Sequence, residues 1–467
     1  MQNVLSRRLL NPHLTWYSGT LDNIQTHGRD DIDRCITQWK HILEQQVGYG
    51  RGCQIFLDFE VRDINWLAVT VANWELGGKQ TSFHPTYPEL WAPWHVIVSD
   101  QASLAKAKFH ALHYLCSNID QYHLDSTVDN PPLCHPNDTV FGFNTSGSTG
   151  SPSKINHSHE FMHALCLRNI SALGLDQPEL KKALLVHGGT HNVIPPFAWP
   201  ALAQFEQVHS LPFVPDRMSE LAQYVNDHEI NVVMLPHTLS VELFLTSAPR
   251  FTHPVKLLQL MANQQNWVEL VKEKNVQSIR NSYGAVEVLS PVLSNEITQL
   301  SDNSYSPFDF GKPLDNFYNI ELTDQNNLRV SHPLLEVGSH VIQDYFVQDS
   351  NGNLRYDNRD KSIRLRGQDI PWGALERCVQ VHGNPSLMCI IGDSDSDQIC
   401  LLIDQCYSQV QIENLVNCIN TDLALVTPGL SVDRVSCVDI TKFINSYKFN
   451  LSQVRDFFQE KIKQTNE

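Results

Sequence analysis

Residues 144–154 read Asn-Thr-Ser-Gly-Ser-Thr-Gly-Ser-Pro-Ser-Lys, and the fold of the chain is decided around this stretch. Eight of its first nine residues are glycine, proline or hydroxyl-bearing, and the apolar run 140–143 before it predicts a buried strand. Glycines let a backbone approach a ligand closely, while hydroxyl and backbone N–H groups donate to phosphate oxygens. By itself, the stretch fits either a flexible polar turn or a phosphate-binding loop.

The stretch is not a Walker loop, because Pro152 stands where that motif, counted from Gly147, requires its second glycine. The order Thr-Ser-Gly-Ser-Thr-Gly-x-Pro instead resembles the phosphate-binding loop of the AMP-forming adenylating enzymes, which include acyl-CoA synthetases, peptide-synthetase adenylation domains and luciferases. In that family a lysine directly follows the proline, whereas here Ser153 stands there and the lysine comes one residue later. The resemblance implies that ATP is bound by Thr145, Ser146, Gly147, Ser148, Thr149, Gly150 and Lys154.

The amino-acid composition limits the classes of protein to which this chain can belong. The 467 residues are 42% hydrophobic and 18% charged, which is ordinary for a globular protein with two or three domains. The net charge of -17 argues against a non-specific grip on nucleic acid or anionic membrane. Because we find neither a signal-peptide core nor an apolar run of about 18 residues, we expect a cytoplasmic protein without a membrane span. Its eleven cysteines include no Cys-x-x-Cys pair, so buried reduced thiols are expected.

Periodicity and the resemblance together predict the architecture. Apolar spacing predicts a helix over 31–47, strands over 53–59 and 94–99, and a helix capped by Asp63, a rhythm that indicates a parallel α/β layer. After Gly367 a shorter alternation predicts an α+β domain of about 100 residues. With the resemblance, we expect an α/β protein with two domains. Residues 1–358 form a large ATP- and acid-binding domain of stacked mixed sheets with flanking helices, and residues 359–467 form a small mobile domain.

A second motif covers residues 281–287, Asn-Ser-Tyr-Gly-Ala-Val-Glu, and resembles the Tyr-Gly-x-Thr-Glu turn of the family. The resemblance implies that Tyr283 stacks on adenine, that Gly284 contacts the nucleotide and that Glu287 holds Mg²⁺. The preceding Asn281 and Ser282 are assigned to the acid pocket. Val286 replaces the threonine, and a valine cannot donate to phosphate.

The third region precedes the predicted domain boundary. Asp344 lies where the family has its ribose-binding aspartate, and a carboxylate can accept from both ribose hydroxyls. The run 357–367, Asp-Asn-Arg-Asp-Lys-Ser-Ile-Arg-Leu-Arg-Gly, resembles the hinge sequence of the family, with Asp360 at the hinge position. Asn358 stands where the family has an arginine near the phosphates, and Arg359, one residue later, is the candidate substitute.

Two further segments carry the predicted acid and catalytic residues. His191 matches the residue that guards the acid pocket in the family, and Asn192 matches members that adenylate hydroxylated aryl acids. A satisfied loop contact is the alternative for this pair. The family's aspartate for an amino-acid substrate is missing here, so the acid is not expected to be an amino acid. Lys448, in Asn-Ser-Tyr-Lys-Phe at 445–449, resembles the catalytic lysine of the family, although Tyr447 replaces the usual glycine.

The resemblance therefore implies an ATP-dependent acid ligase. ATP and Mg²⁺ are the expected cofactors, a small aryl or medium-sized carboxylic acid is the expected substrate, and CoA or a carrier-protein phosphopantetheine is the expected thiol acceptor. An amide-forming ligase with an amine acceptor is the first alternative. An inactive nucleotide-binding relative with a regulatory role is the second, and it is favoured by Ser153, Val286 and Asn358 at positions that normally contact nucleotide.

Overall fold

The computed structural model describes most of the chain. The residues outside the description are 1–2, 60–61, 82–90, 102–110, 120–121, 123–131, 145–152, 188–194, 236–237, 260–266, 302–309, 360–361, 366–367, 372–374, 376–377, 380–381, 383–387, 394–397, 427–430, 446–447, 450 and 467. Asn281, Arg359 and Lys448 are among the residues described by their backbone alone.

Nine α-helices lie in the described part of the chain. They are α1 (Arg29–Val47), α2 (Ile64–Glu75), α3 (His159–Ala172), α4 (Pro195–Gln204), α5 (Met218–Asp227), α6 (Thr238–Ser247), α7 (Val268–Lys274), α8 (Gln409–Val426) and α9 (Leu451–Asn466). Short 3₁₀ turns cover Arg7–Leu9, Pro215–Arg217 and Ile440–Phe443. None of the described helices combines the length and the apolarity that crossing a bilayer requires.

The strands are numbered along the chain. The first fourteen are β1 (Thr15–Thr20), β2 (Asn23–His27), β3 (Gln54–Asp58), β4 (Lys79–Thr81), β5 (Trp94–Ser99), β6 (Ala111–Cys116), β7 (Thr139–Asn144), β8 (Lys154–Ser158), β9 (Lys182–His187), β10 (Gln207–Pro212), β11 (Val232–Leu235), β12 (Val255–Gln259), β13 (Val276–Ala285) and β14 (Ser290–Thr298). The others are β15 (Asn319–Leu322), β16 (Asn327–Ser331), β17 (Ser339–Gln348), β18 (Leu354–Arg359), β19 (Ser362–Leu365), β20 (Gln368–Pro371), β21 (Met388–Asp393), β22 (Gln398–Asp404), β23 (Arg434–Val438), β24 (Ile444–Asn445) and β25 (Lys448–Phe449).

Two large mixed sheets carry most of the strands. One has eight strands in the order β14-β13-β12-β11-β9-β10-β1-β2, and the other has six in the order β6-β5-β3-β4-β7-β8. Within each sheet the central strands run parallel, so their carboxyl ends meet at one edge, where ligands of α/β sheets bind. A four-stranded antiparallel sheet, β15-β16-β17-β18, follows.

Helices α2 and α4 join the two large sheets. Trp66 of α2 stacks on Trp199 of α4 with ring centroids 5.8 Å apart, and Trp74 meets the same ring edge-on at 4.4 Å. These indoles belong to one buried cluster that also contains residues of both sheets. Since every face of α2 around its middle is buried, the helix is apolar nearly all round rather than amphipathic.

The last hundred residues build a core of their own. Strands β21-β22-β23 form a three-stranded sheet, against which α8 and α9 contribute Leu415, Ile419, Val454 and Phe458 to one buried cluster. The expected fold class, an α/β protein with stacked sheets and a smaller α+β part, is confirmed. The boundary at 358/359 stays a prediction, and the separate cluster supports it.

The structure also refines several predicted elements. Asp63 caps α2 as expected, because its carboxylate accepts from the backbone N–H of Trp66 at 3.0 Å. The helix predicted from Ser158 exists, and the Ser158 hydroxyl accepts from Phe161 N–H at 3.2 Å. Strand β8 before that helix, the hairpin β1–β2 and the β15–β18 sheet were not predicted, since segments such as β8, β15 and β18 are short and largely polar.

Candidate active site

The predicted phosphate loop connects the two strands of a hairpin. β7 and β8 pair antiparallel, with Asn144 directly opposite Lys154, so the ends of the loop are held side by side. In β7 only glycine fits at position 142, because a Cβ there would lie 2.7 Å from the Trp91 ring. The predicted phosphate ligands Thr145, Ser146, Gly147, Ser148, Thr149 and Gly150 lie outside the described residues.

Lys154 stands at the far end of this loop, with an exposed side chain. Its Nζ lies 4.9 Å from the centroid of the Trp91 ring, and Lys79 Nζ lies 4.8 Å from the same centroid. Burial first, and then the charge of Lys154, lower the pKa of Lys79, while Glu336 opposes that shift. The structure therefore puts two cations and an indole at the base of the predicted phosphate loop.

Two other predicted nucleotide residues touch each other directly. The Tyr283 hydroxyl donates to Asp344 Oδ2 at 2.5 Å, and both side chains are buried. The Tyr283 ring packs between Phe310 and Phe346, with centroids at 5.8 Å and 5.0 Å. Asp344 lies within β17, where Asn327 Nδ2 donates to its backbone carbonyl at 3.4 Å. The residues predicted for adenine and ribose thus form one hydrogen-bonded unit.

The strand beside Asp344 brings a third predicted residue to this unit. Arg359 ends β18 and is the register partner of Asp344, and Asn358 is the partner of Tyr345. Across an antiparallel pair, directly opposed residues lie about 4.5–5.5 Å apart. The predicted hinge residue Asp360 follows immediately and lies outside the described residues.

The turn after Tyr283 is held by groups from three elements. A Cβ at Gly284 would lie 2.2 Å from the backbone oxygen of Ser290, so no other residue fits there. Arg168 of α3 donates to the Ser290 hydroxyl at 2.6 Å and to the carbonyl of Pro291 at 2.7 Å. Its other nitrogens form a bidentate pair with Asp315 at 2.5 Å and 3.0 Å.

A buried histidine links this turn to the phosphate hairpin. His157 of β8 lies with Nε2 3.2 Å from the backbone oxygen of Val286. Burial lowers the pKa of His157 to about 4, so the ring is neutral at pH 7, and Nε2–H is the tautomer that donates to this carbonyl. Although the Val286 side chain cannot donate to phosphate, its backbone holds the two predicted nucleotide motifs together.

Glu287 is half-buried and is the predicted magnesium ligand. Its charge, together with that of Glu336, acts on His340, whose pKa burial lowers and the two carboxylates raise. In the described part of the chain no group of three or more His, Cys, Asp or Glu side chains could hold a metal ion. Mg²⁺ that accompanies a nucleotide takes many of its ligands from phosphate oxygens and water, so a single carboxylate such as Glu287 fits it.

The predicted acid pocket is only partly covered by the description. Asn281 and Ser282 lie in β13, and the buried Ser282 hydroxyl is 3.5 Å from that of Ser294 in β14. His191 and Asn192 lie outside the described residues, between the end of β9 at His187 and the start of α4 at Pro195.

Lys448 lies in a short hairpin rather than in a loop. It begins β25 and pairs with Asn445 of β24. That the Lys448 side chain lies at the predicted acid pocket stays a prediction.

Sequence reasoning missed three residues around this site: His157, Arg168 and His340. His157 and Arg168 act through contacts with distant segments, for example 147 positions from Arg168 to Asp315, and His340 lies within the influence of the Glu287 and Glu336 charges. No local pattern marks such residues. Only the presence of Arg168 in a largely apolar helix signals a buried polar contact.

Comparisons with known proteins were made for sequence and structure. No protein-family model matches the chain. Syringomycin synthase SyrB1 of Pseudomonas syringae pv. syringae is 24% identical over 387 residues, which cover 73% of this chain and 62% of that protein. The chain thus matches less than two thirds of the length of this relative.

Solved structures resemble the chain over most of its length. The McyG A-PCP structure, complexed with phenylalanyl-adenylate, has a TM-score of 0.72 at 14% identity and covers 97% of this chain and 93% of its own. The o-succinylbenzoate CoA synthetase MenE of Bacillus subtilis, in complex with ATP and magnesium, has a TM-score of 0.67 at 15% identity, with coverages of 89% and 91%. At such identities the likeness establishes the fold alone. The chain therefore has the two-domain fold of the AMP-forming adenylating enzymes, the superfamily that its motifs resemble.

Proposed function

We propose that this protein is an ATP-dependent ligase that joins a carboxylic acid to AMP, releases pyrophosphate and passes the acyl group to a thiol. The contact between Tyr283 and Asp344 carries the proposal. These residues come from motifs 61 positions apart, and the resemblance assigns both motifs to the same nucleoside. The acceptor is CoA or the phosphopantetheine of a carrier protein, and the reaction takes place in the cytoplasm.

The nucleotide is bound by the groups around this contact. The Tyr283 ring stacks on adenine, and Asp344 accepts from the ribose hydroxyls while the Tyr283 hydroxyl holds the carboxylate in place. The Thr145–Gly150 loop donates to the phosphates. Arg359, opposite Asp344 in the sheet, approaches the phosphates from the other side.

The chemistry requires no protein nucleophile. A carboxylate oxygen of the acid attacks the α-phosphorus and pyrophosphate leaves, so the protein contributes positioning and charge stabilisation. Magnesium held by Glu287 supplies charge neutralisation on the phosphates. Lys448 bridges the acid and the α-phosphate in the transition state. The C-terminal part of the chain then turns about Asp360, which withdraws Lys448 and admits the acceptor.

The acid is an aryl or medium-sized carboxylic acid. His191 and Asn192 line its pocket, together with Asn281 and Ser282 of β13. If the Asn192 amide binds a ring hydroxyl, Asn192→Ala should weaken activation of a hydroxylated aryl acid about fivefold while changing its deoxy analogue little, because one hydrogen bond is worth about 1 kcal/mol. Equal effects on both acids would contradict this role, and kcat/KM in pyrophosphate exchange is the measurement.

A second candidate is a nucleotide-binding relative without ligase activity. It is favoured by Val286, which offers no hydroxyl, and by Lys154, whose ammonium lies over Trp91. An amide-forming ligase differs from our proposal only in the acceptor.

Exchange of labelled pyrophosphate into ATP across a broad panel of carboxylic acids tests the proposal. We expect exchange that depends on one class of acid. ATP binding without exchange for any acid would support the inactive relative instead. Supplying CoA, a carrier protein or amines after adenylation then identifies the acceptor.

A further inference from the structure

Lys79 is a cation beside the phosphate hairpin to which the proposed mechanism gives no role. It begins β4, which runs parallel to β7 with Thr81 opposite Gly142. On the other side of β7, Gly142 pairs with Asn156 of β8. Alternate residues of a strand share one face of a sheet. Lys79 and Lys154 each stand two positions before one of these partners, so both lie on the face of Gly142.

The Trp91 ring covers this face at Gly142. A Cβ at position 142 would lie 2.7 Å from the ring, so the glycine makes room for the indole. The ammonium groups of Lys79 and Lys154 both lie within 4.9 Å of the ring centroid, and no more than twice this distance therefore separates them. The electron-rich face of an indole attracts cations and partly offsets their mutual repulsion. The ring thus holds two cations close together on one face of the sheet.

Neither cation has a carboxylate partner among the residues that the structure describes. Lys79 and Lys154 form no ion pair there, although the whole chain carries a net charge of -17. The charge of Glu336 raises the pKa of Lys79, but its carboxylate accepts from the backbone N–H and the side-chain amide of Asn156, both at 3.2 Å. Two neighbouring ammonium groups without such a partner favour an anionic ligand.

The exposure of the two lysines lets a ligand reach them from solvent. Lys154 is exposed and Lys79 is half-buried, whereas Trp91 is only 3% exposed. A lysine ends a flexible four-carbon stem, so its ammonium can turn from the ring to an anion. A diphosphate carries negative charge on two adjacent phosphates and can accept from both ammonium groups, whereas a carboxylate offers one charged group. The pair therefore suits a diphosphate.

We infer that Lys79 and Lys154 together bind a diphosphate group at the phosphate hairpin. Two sources of this group fit the proposed function, on which the choice between them rests. One is the pyrophosphate that leaves ATP, and the other is the diphosphate of CoA. Lys79 is a binding residue in this scheme, and no bond forms or breaks at it.

Calorimetric titration with pyrophosphate and with CoA tests the pair without requiring catalysis. We expect at least one of these ligands to bind, and Lys79→Met to weaken its binding at least tenfold, because a charged contact to phosphate is lost. Lys79→Arg keeps the charge and should retain most of the affinity. Lys461→Met is the matched control. It removes another lysine that lies over an aromatic ring, 4.9 Å from the centroid of Phe457, and should change neither affinity.

Folding is checked by urea unfolding of each variant, because Lys79 packs on Trp91. If Lys79→Met does not fold, Lys79→Gln takes its place, with the same expected loss of affinity. Lys154→Met removes the other cation from the exposed end of the pair, and it should weaken the same ligand at least tenfold.

The outcomes separate this inference from the proposed function. A smaller loss in the Lys79 variant, or no binding of either ligand, overturns the pair and leaves the ligase standing wherever acid-dependent pyrophosphate exchange is found. Binding that the Lys79 variant weakens tenfold supports the pair even if no acid supports exchange. Where exchange occurs, a higher KM for pyrophosphate in the variant identifies the leaving group as the source, and a higher KM for CoA identifies the acceptor.

Discussion

At the scale of single residues, the contact between Tyr283 and Asp344 joins the two motifs that are predicted to bind the nucleoside. Both side chains are buried, and the hydroxyl donates to the carboxylate at 2.5 Å. A hydrogen bond to a charged group contributes about 1.5–3 kcal/mol, more than a neutral one, because the charge strengthens the electrostatic attraction.

Tyr283→Phe should therefore lower the free energy of unfolding by about 1–3 kcal/mol and weaken ATP binding, while the ring keeps its stacking surface. Urea unfolding and calorimetric ATP titration measure the two effects. Tyr356→Phe, a change on a neighbouring ring 6.4 Å away, is the matched control. A stable variant with unaltered ATP affinity would show that the hydroxyl does not position Asp344.

At the scale of elements, the predicted nucleotide motifs are held together from α3 and β8. Arg168 joins α3 to the turn after β13 and to Asp315, and His157 joins β8 to the carbonyl of Val286. The Arg168 side chain is 6% exposed and that of Asp315 is 29% exposed, so this ion pair is only partly screened by water.

Arg168→Met should destabilise the protein by about 2–4 kcal/mol, because Asp315 and the Ser290 hydroxyl lose the donors that the guanidinium supplies. Thermal or urea unfolding measures the loss. Arg217→Met, which breaks exposed pairs with Asp22 and Glu220, should cost much less. Similar losses in both variants would contradict a structural role for Arg168.

Elements with strong local signals were predictable from the sequence. α1, α2, β5 and β7 follow from apolar spacing and from caps such as Asp63. The β15–β18 sheet was missed because β15, β16 and β18 are only four to six residues long and alternate a few apolar residues with polar ones. Asp344 and Arg359 pair within that sheet, so the sequence did not predict their pairing either.

The residues of the candidate site also differ in whether a local sequence pattern predicts them. Residue types in family order single out Tyr283 and Asp344 as candidates, since the motif chemistry is local, and their roles at the nucleoside stay predictions. The contact of Arg168 with Ser290 joins residues 122 positions apart and has no local signature. Roles assigned to Glu287, Arg359 and Lys448 stay predictions.

At the scale of the whole molecule, buried histidines make stability depend on pH. Burial lowers the pKa of His157 and His159 to about 4 and that of His209 to about 3. Their unfolded pKa is about 6.5, so below that pH the unfolded chain binds more protons than the folded one. The stability that the folded protein has while these histidines are neutral is fully present above pH 6.5 and is lost as the pH falls toward 4.

We therefore expect the free energy of unfolding to fall between pH 7.5 and 5.5, with each such histidine contributing up to about 1.4 kcal/mol per pH unit at the lower end. Urea unfolding at several pH values measures the slope. His157→Asn removes one titrating group while leaving an amide donor near Val286, and it should reduce the slope by about one proton. A slope that is zero or reversed would contradict the burial of neutral histidines.

The central claim is that the separated motifs form one adenylating site, with Lys448 as its catalytic residue. Acid-dependent exchange of labelled pyrophosphate into ATP, measured side by side in the unaltered protein and in Lys448→Ala, tests it most directly. The account predicts exchange in the unaltered protein and a loss of at least a hundredfold in the variant, with ATP binding nearly unchanged. Exchange that survives in Lys448→Ala would contradict the catalytic assignment, and absence of acid-dependent exchange in the unaltered protein would contradict the claim as a whole.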